Sequence, residues 1–343
     1  MAKSFVKMAD VAKAAGVSTM TVSRALRNDG SVSEARRVHI VKVANDIGYV
    51  FDRTASELRT GRTGFVAVTV PSINNPNFAD SVRTLTRDLN ERGLEVLLGY
   101  TDYSVEREET LIKQMLRRRP EAIVVTGSTH TPNAHALLKN AKIPVIENWD
   151  EPFEPIGVSV GFSNATAGAA MAKHLIDTGR RKIGFIGCDS ETDFRGEARQ
   201  NGFFATLAEH GLETHRLIQA GHPPLGASEG ATAIKTMLDQ YPDTDAVMCV
   251  ADSVAFGAMM QLQRMGKRIP NDVAVAGFGA YDVSEMSIPP ITTIDPNADR
   301  IGALTAAKII QAIHSDAGTH VKSHADAEPE LVARESTQTS PKN

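Results

Sequence analysis

The 343-residue sequence predicts a small all-α head followed by a much larger α/β body with parallel sheets. Three observations carry that expectation. Residues 8–26 read as an Ala-rich helix that stops at Gly16 and restarts after Ser18. From residue 65 to residue 278, short β-branched runs alternate with amphipathic helical stretches. The charge divides where the pattern changes: residues 1–62 hold 11 Lys+Arg against 6 Asp+Glu, and residues 63–343 hold 26 against 35. The overall −4 is therefore a head of +5 on a body of −9. That split suggests that the head alone meets a phosphate backbone, which the acidic body should repel.

Composition bounds the rest. With 42% hydrophobic and 23% charged residues, the chain reads as globular rather than disordered or fibrous. Cys188 and Cys249 stand alone, so neither a disulfide framework nor a zinc site is indicated, and no metal or other cofactor is expected. The stretch Met1–Asp10 lacks the apolar core of a signal peptide, and no apolar run approaches the roughly 18 residues of a membrane span. A cytoplasmic protein with no membrane partner is the expectation.

In the head, Gly16 suits a left-handed helix stop and Ser18 an N-cap, the punctuation of a helix–turn–helix. Val11, Ala15, Val17, Val22 and Leu26 can share a small core, leaving Thr19, Met20, Ser23 and Arg24 on the outer face of the second helix. Short polar side chains there can reach base edges in a major groove. A third helix is predicted from an N-cap at Ser33 to about Asp46, with Ile40, Val41, Ala44 and Ile47 inward and Gly48 as its stop. Arg24, Arg27, Arg36, Arg37 and Lys42 fit phosphate contacts. A plain helical hairpin is the alternative that the spacing alone leaves open. Residues 50–62 read as a polar linker too short to be a stable isolated helix.

In the body, strands are predicted at 65–70, 95–99, 122–126, 143–147, 183–187, 246–250 and 273–278. Helices are predicted at 78–92, 104–118, 164–178, 196–210, 228–240 and 253–266. That alternation gives parallel sheets covered by helices. Ligands of such sheets sit beyond the carboxyl ends of the strands. Arg195 and Arg199, one turn apart on one helix, suit a small anion. Glu147, Trp149 and Asp150 follow another strand; the lone Trp suits either stacking on a sugar or ordinary packing. Other signals are weak. Gly226-Ala227-Ser228-Glu229-Gly230 spells a nucleophile-elbow pattern but no strand precedes it, and Ser228 reads better as an N-cap. Gly277 and Gly279 lack the third glycine of a dinucleotide loop, and His320 with His324 lack a third ligand.

The stretches Ala9-Asp10-Val11-Ala12, Ala15-Gly16-Val17-Ser18, Thr21-Val22-Ser23-Arg24 and Asn45-Asp46-Ile47-Gly48-Tyr49 resemble the head of lactose-repressor (LacI/GalR) family regulators. So does Asp52 to Gly61, which in that family forms a hinge helix that folds on the operator. The likeness continues through Gly64–Pro71, Asn74–Phe78, Ile143–Ile146, Ile183–Gly187, Arg199–Phe203, Ala255–Met259, Ile269–Val275, Ile288–Ile294 and Pro329–Ser336. It implies a two-lobed, periplasmic-binding-protein-like core with an effector between the lobes. The implied divisions are a head at 1–49, a hinge at 50–62, a body at 63–336 and a tail at 337–343. The first lobe would take about 63–162 plus 292–322, and the second about 163–291 plus 323–336.

By the same resemblance Ser18, Thr19, Met20, Thr21, Ser23, Arg24, Arg27, Asn28, Tyr49, Arg53, Ala55 and Leu58 face DNA. Ala55 approaches the minor-groove floor and Leu58 is its apolar wedge. Asn77, Phe78, Glu147, Trp149, Asp150, Arg195, Arg199, Asp252, Tyr281 and Asp282 face the effector. Gly279 and Ala251 depart from the commoner family pattern, and with Arg195 they favour an anionic effector. The variants around Trp149 and Tyr281 look like the gluconate-operon repressor branch, so a sugar acid such as gluconate is the expected effector. The partners implied are palindromic double-stranded operator DNA, that effector and a second copy of the chain. A solute receptor of the periplasmic type shares the body but not the basic head, and no catalytic set supports an enzyme.

Overall fold

The computed structural model describes residues 6–27, 29–50, 62–189, 192–315 and 322–338. The chain divides into two units, Met1–Thr63 and Gly64–Asn343, called here the head and the body.

The head holds α1 (Met8–Ala15), α2 (Thr19–Leu26) and α3 (Glu34–Asp46). Gly16 ends α1 at φ 64°, a left-handed position that penalises any Cβ, and its amide returns to Ala12 O. Ser18 caps α2, accepting from the Thr21 amide at 3.2 Å. The core is Val11, Ala12, Val22, Ala25, Ile40 and Ala44, with Ala15, Val17, Leu26, Val43 and Ile47 at its margin. Val41 is exposed, contrary to its predicted inward place. One residue of helix turns a side chain by about 100°, so Ile40, Val43, Ala44 and Ile47 form the stripe and Val41 falls off it.

The first lobe of the body is a six-stranded sheet in the order β11-β5-β4-β3-β1-β2. Its strands are β1 (Phe65–Val70), β2 (Glu95–Tyr100), β3 (Ala122–Thr126), β4 (Val145–Asn148), β5 (Val158–Gly161) and β11 (Ser323–Asp326). All its pairings are parallel. Both faces are apolar, as parallel sheets require. Val66, Val68, Val124 and Ile146 join one core cluster, while Ala67, Ile123, Val125 and Val145 join the other. Helices α4 (Pro76–Asn90) and α12 (Ala298–His314) lie against each other. Helices α5 (Val105–Leu116) and α6 (Pro132–Lys139) bring Ile112, Met115, Ala134 and Leu138 to the second cluster.

The second lobe is a parallel sheet in the order β7-β6-β8-β9. These strands are β6 (Ile183–Gly187), β7 (Leu217–Gln219), β8 (Ala246–Cys249) and β9 (Ala274–Ala276). With them run α7 (Asn164–Asp177), α8 (Phe194–Glu209), α9 (Ala227–Gln240), α10 (Asp252–Arg264) and the short α11 (Asp282–Met286). The antiparallel pair β10 (Thr293–Asp295) and β12 (Glu330–Val332) completes the body. The chain thus passes between the lobes after β5, after β10 and after β11.

Several sequence expectations change. Residues 323–326, expected in the second lobe, pair with β5 in the first-lobe sheet. Thr337, expected in a tail, is fully buried and shares hydrogen bonds with Thr292 and His174. Ser228 is not a cap: α9 starts after Gly226, whose amide donates to Glu229 Oε2 at 2.9 Å. His324 lies on β11, where its Nδ1 meets Ser159 Oγ at 2.8 Å, and His320 falls outside the described residues.

Helices α7 and α8 touch backbone to backbone. A Cβ on Gly168 would collide with Arg199 O, and one on Gly202 with Ala165 O. Gly168→Ala should therefore force the helices apart and cost about 1–3 kcal/mol, as overpacking does. Urea unfolding followed by circular dichroism should show a lower midpoint than the native chain; an unchanged midpoint would contradict the close contact.

Candidate binding cleft and helix–turn–helix surface

A cavity of about 410 Å³ lies between the two lobes of the body. It opens beyond the carboxyl ends of the strands, where the loops after β1, β4, β6, β8 and β9 converge. Six of the ten predicted effector residues line it: Asn77, Phe78, Trp149, Arg195, Arg199 and Tyr281.

Arg199 is set in this wall by the α7–α8 contact. Its guanidinium is buried, donates from Nη1 to Asn164 Oδ1 at 2.6 Å, and lies 4.1 Å from the Phe278 ring centroid. Its Nε has no hydrogen-bond partner, and it has no ion-pair partner among the described residues. Burial pulls its pKa below the ordinary arginine value, Asp193 opposes that shift, and Arg195 adds to it. Arginine stays protonated regardless, so a desolvated positive charge faces the cavity with no carboxylate bound to it.

Arg195 sits one turn earlier on α8 and reaches across to the first lobe. Its Nη1 donates to Thr126 O at 3.4 Å, and its guanidinium is 5.6 Å from the Phe78 centroid. Gly127 is its seat: a Cβ there would stand 2.7 Å from Nη1. Trp149 is buried at φ 69°, meets Phe78 edge to face at 5.1 Å, and leaves its indole Nε1 without a partner. Tyr281 lines the cavity as a protonated donor, its pKa raised first by burial and then by Asp252.

The other four predicted residues do not line the cavity. Glu147 is buried on β4; Oε2 accepts from the Ile156 amide at 2.6 Å and Oε1 is 3.8 Å from His130 Nε2. Alternation along the strand puts it on the opposite side from Ile146. Asp150 accepts from Ser128 Oγ at 2.5 Å in a small polar recess shared with Arg195. Asp252 is fully buried beneath the cavity wall, accepting from Thr293 Oγ1 at 2.7 Å and from the Tyr281 amide at 2.8 Å. Burial pushes its pKa up to about 6. Asp282 is exposed at the start of α11.

The cavity also holds residues with no distinct sequence signal. Asn164 opens α7, and its Nδ2 donates to Trp149 O at 3.1 Å. Phe162 and Phe278 supply apolar wall. Asp193 caps α8 through the Gly196 amide and is the acid lining the cavity. Tyr103, pushed up to about 12 chiefly by burial, lies at the first-lobe rim.

In the head, Thr19, Met20 and Arg24 are exposed on one face of α2, with Thr21 and Ser23 half-buried beside them. Ser18 Oγ also meets Thr21 Oγ1 at 2.9 Å, so both hydroxyls take part in the cap. Arg27 Nε donates to Ser23 O at 3.0 Å, and Tyr49 packs against the head core. Arg37 pairs with Glu34. Asn28, Arg53, Ala55 and Leu58 lie outside the described residues.

The model for periplasmic binding proteins and the sugar-binding domain of the LacI family matches residues 63–331. That for bacterial regulatory proteins of the lacI family matches residues 7–52. The chain belongs to the LacI family. The HTH-type transcriptional regulator GntR of Pseudomonas aeruginosa is 34% identical over 331 residues, 96% of this chain and 94% of its own. A LacI-family transcriptional regulator from Silicibacter pomeroyi superposes with a TM-score of 0.90 at 31% identity, covering 97% of this chain and 100% of that one. The lac repressor dimer bound to operator and an anti-inducer shares the fold, with a TM-score of 0.83 at 21% identity. These LacI-family relatives are DNA-binding transcriptional regulators, not enzymes. No described helix is long and apolar enough to cross a membrane.

Behind the cleft of this LacI-family body, His130 is enclosed between two carboxylates. Its Nδ1 is 2.7 Å from Glu108 Oε2, with Glu147 on the other side. Burial disfavours the imidazolium, but the hydrogen bond to Glu108 and the nearby Glu147 carboxylate outweigh it and push His130 up to about 9. A raised histidine stabilises fully below about pH 6.5, and that stability fades as pH climbs through 9. At most about 3 kcal/mol is at stake. Unfolding midpoints should fall between pH 6.5 and 9 in the native chain and stay flat in His130→Gln; parallel profiles would refute the coupling.

Proposed function

We propose that this LacI-family regulator is a cytoplasmic homodimeric repressor of a carbohydrate or sugar-acid utilisation operon, released or engaged by a sugar acid bound between its lobes. The observation that carries the ligand class is the buried Arg199 guanidinium with no carboxylate partner among the described residues. A carboxylate ligand would pair with it and recover its desolvation cost, which a neutral sugar cannot do. Trp149 Nε1 and the Tyr281 hydroxyl supply donors for ligand oxygens, and Asn164 holds both Arg199 and the Trp149 carbonyl. Gluconate is the first candidate, from the Trp149 and Tyr281 sequence variants.

Two heads on half-sites would read a palindrome, with residues 19–24 in the major grooves, Arg27 on the phosphate backbone, and Ser18, Asn28, Tyr49 and Arg53 also facing DNA. Ala55 and Leu58 would enter the central minor groove. The ligand can alter DNA affinity only through its different affinity for two lobe arrangements, and Arg195, bridging the lobes at Thr126 and Gly127, is placed to differ between them.

Calorimetric titration with gluconate, galactonate and neutral hexoses tests the ligand class. One of the acids should bind, and Arg199→Ala should weaken it by about 2–4 kcal/mol, on the order of 30- to 1,000-fold in Kd. Binding of a neutral hexose with no response to either acid would sink the sugar-acid reading. For the DNA arm, Leu58→Ala should weaken binding to the palindromic operator far more than to random duplex. Equal loss on both in fluorescence anisotropy would remove the wedge role.

A further inference from the structure

The first lobe carries a basic rim where the chain enters it. Because its strands run parallel, the starts of β1, β2, β3 and β4 share one edge, and Gly64 stands at the head of β1. The Gly64 amide donates to Glu121 Oε1 at 3.1 Å, and the Glu121 amide to Phe65 O at 2.8 Å. The entry point is thereby tied to the turn between α5 and β3, which is Arg117-Arg118-Arg119-Pro120. The turn from α6 into β4 carries Lys139 and Lys142 at the same edge.

Between residues 117 and 142 five Lys+Arg stand against one Glu, on a body whose net charge is −9. Arg117, Arg118, Lys139 and Lys142 are exposed. None of the four has an ion-pair partner among the described residues. Arg119 and Lys142 border one shallow groove, so the two turns are neighbours. Glu121 is engaged by Gly64, while Glu91 and Glu95 lie at the β2 end of the edge. Like charges held together without counter-charges repel, and a polyanion relieves that repulsion while releasing its own counterions.

We propose that Arg117, Arg118 and Lys142 form a second DNA contact, on the phosphate backbone flanking the site that the head reads. The proposal rests on the DNA-binding reading of the LacI-family head. Eleven residues, 51–61, join the head to this edge of the body and span at most about 40 Å even fully extended, so DNA held by the head stays within reach of it. The contact touches phosphates and carries no sequence information of its own. An acidic protein segment on the groove floor of Leu116, Leu137 and Ile143 is the competing occupant, and it predicts no effect on DNA.

The test compares the full-length protein with the triple variant Arg117→Ser/Arg118→Ser/Lys142→Ser and with the head variant Arg24→Ala. Fluorescence anisotropy is read on random duplexes of about 16 and about 40 base pairs across a salt series, after thermal melts show that each variant keeps the native midpoint. On the long duplex the triple variant should bind at least about tenfold more weakly, with a log K against log salt slope shallower by about 2–3. On the short duplex it should match the native protein, whereas Arg24→Ala should lose on both lengths. Native-like binding by the triple variant on both duplexes, or equal loss on both, overturns the proposal. A native protein that binds neither duplex in a salt-dependent way overturns the DNA-binding reading itself.

Discussion

Arg199 is held in the cleft by backbone packing rather than by charge. Gly168 and Gly202 let α7 and α8 meet carbonyl against Cα, and that approach puts Arg199 within 2.6 Å of Asn164. No carboxylate among the described residues forms an ion pair with it, although Asp193 is near enough to raise its pKa. Core packing therefore offsets the cost of holding a buried charge that has no ion-pair partner. The rest of the cleft is arranged around this guanidinium: Phe278 covers one face, and Asn164 links it to the main chain of Trp149.

Two arginines one helical turn apart thus have different roles. Arg199 is buried in the cavity wall against Asn164 and Phe278, whereas Arg195 commits its guanidinium to the opposite lobe, against Thr126 O and over Phe78. A Cβ at 127 would stand 2.7 Å from that guanidinium and make it shift, and φ 89° there favours glycine in any case. Within the second lobe, Asp252 collects the Thr293 hydroxyl of β10 and the Tyr281 amide. Asp252 braces the strand that leads into the crossover and does not line the cavity.

Where the pattern in the chain was strong, it located the elements. Gly16 and Ser18 marked the head's turn because each has one conformational use there, and six of the ten residues that the family resemblance assigned to the cleft line the cavity. Strands of three or four residues such as β5, β7 and β10 hold too few alternations to stand out. Helix α12 buries Ile301, Ala306 and Ile309, but its alanines blur the apolar contrast. Glu147 shows the limit at the site. It neighbours Trp149 in sequence, yet strand alternation aims it at His130 on the far face, and the partner that explains it lies 17 positions away. Asn164 and Asp193 could not be recognised singly, since asparagine and aspartate at helix starts are ordinary caps.

Net charge likewise averages over space. A body of −9 suggests repulsion from DNA over its whole surface, but surface fields beyond a Debye length of about 10 Å are screened at ordinary salt, so a phosphate responds to the charges beside it. The edge at which the chain enters the first lobe is positive on that scale, because the parallel topology stacks the turns before β3 and β4 side by side and both turns are basic. Separation in sequence, more than 20 residues between Arg117 and Lys142, hides a proximity that follows from strand order alone. The acidic surplus then lies elsewhere on the body, where it opposes adhesion to nucleic acid in any other orientation. A charge distribution of this kind gives one edge of the body a local attraction for polyanions that its net charge hides.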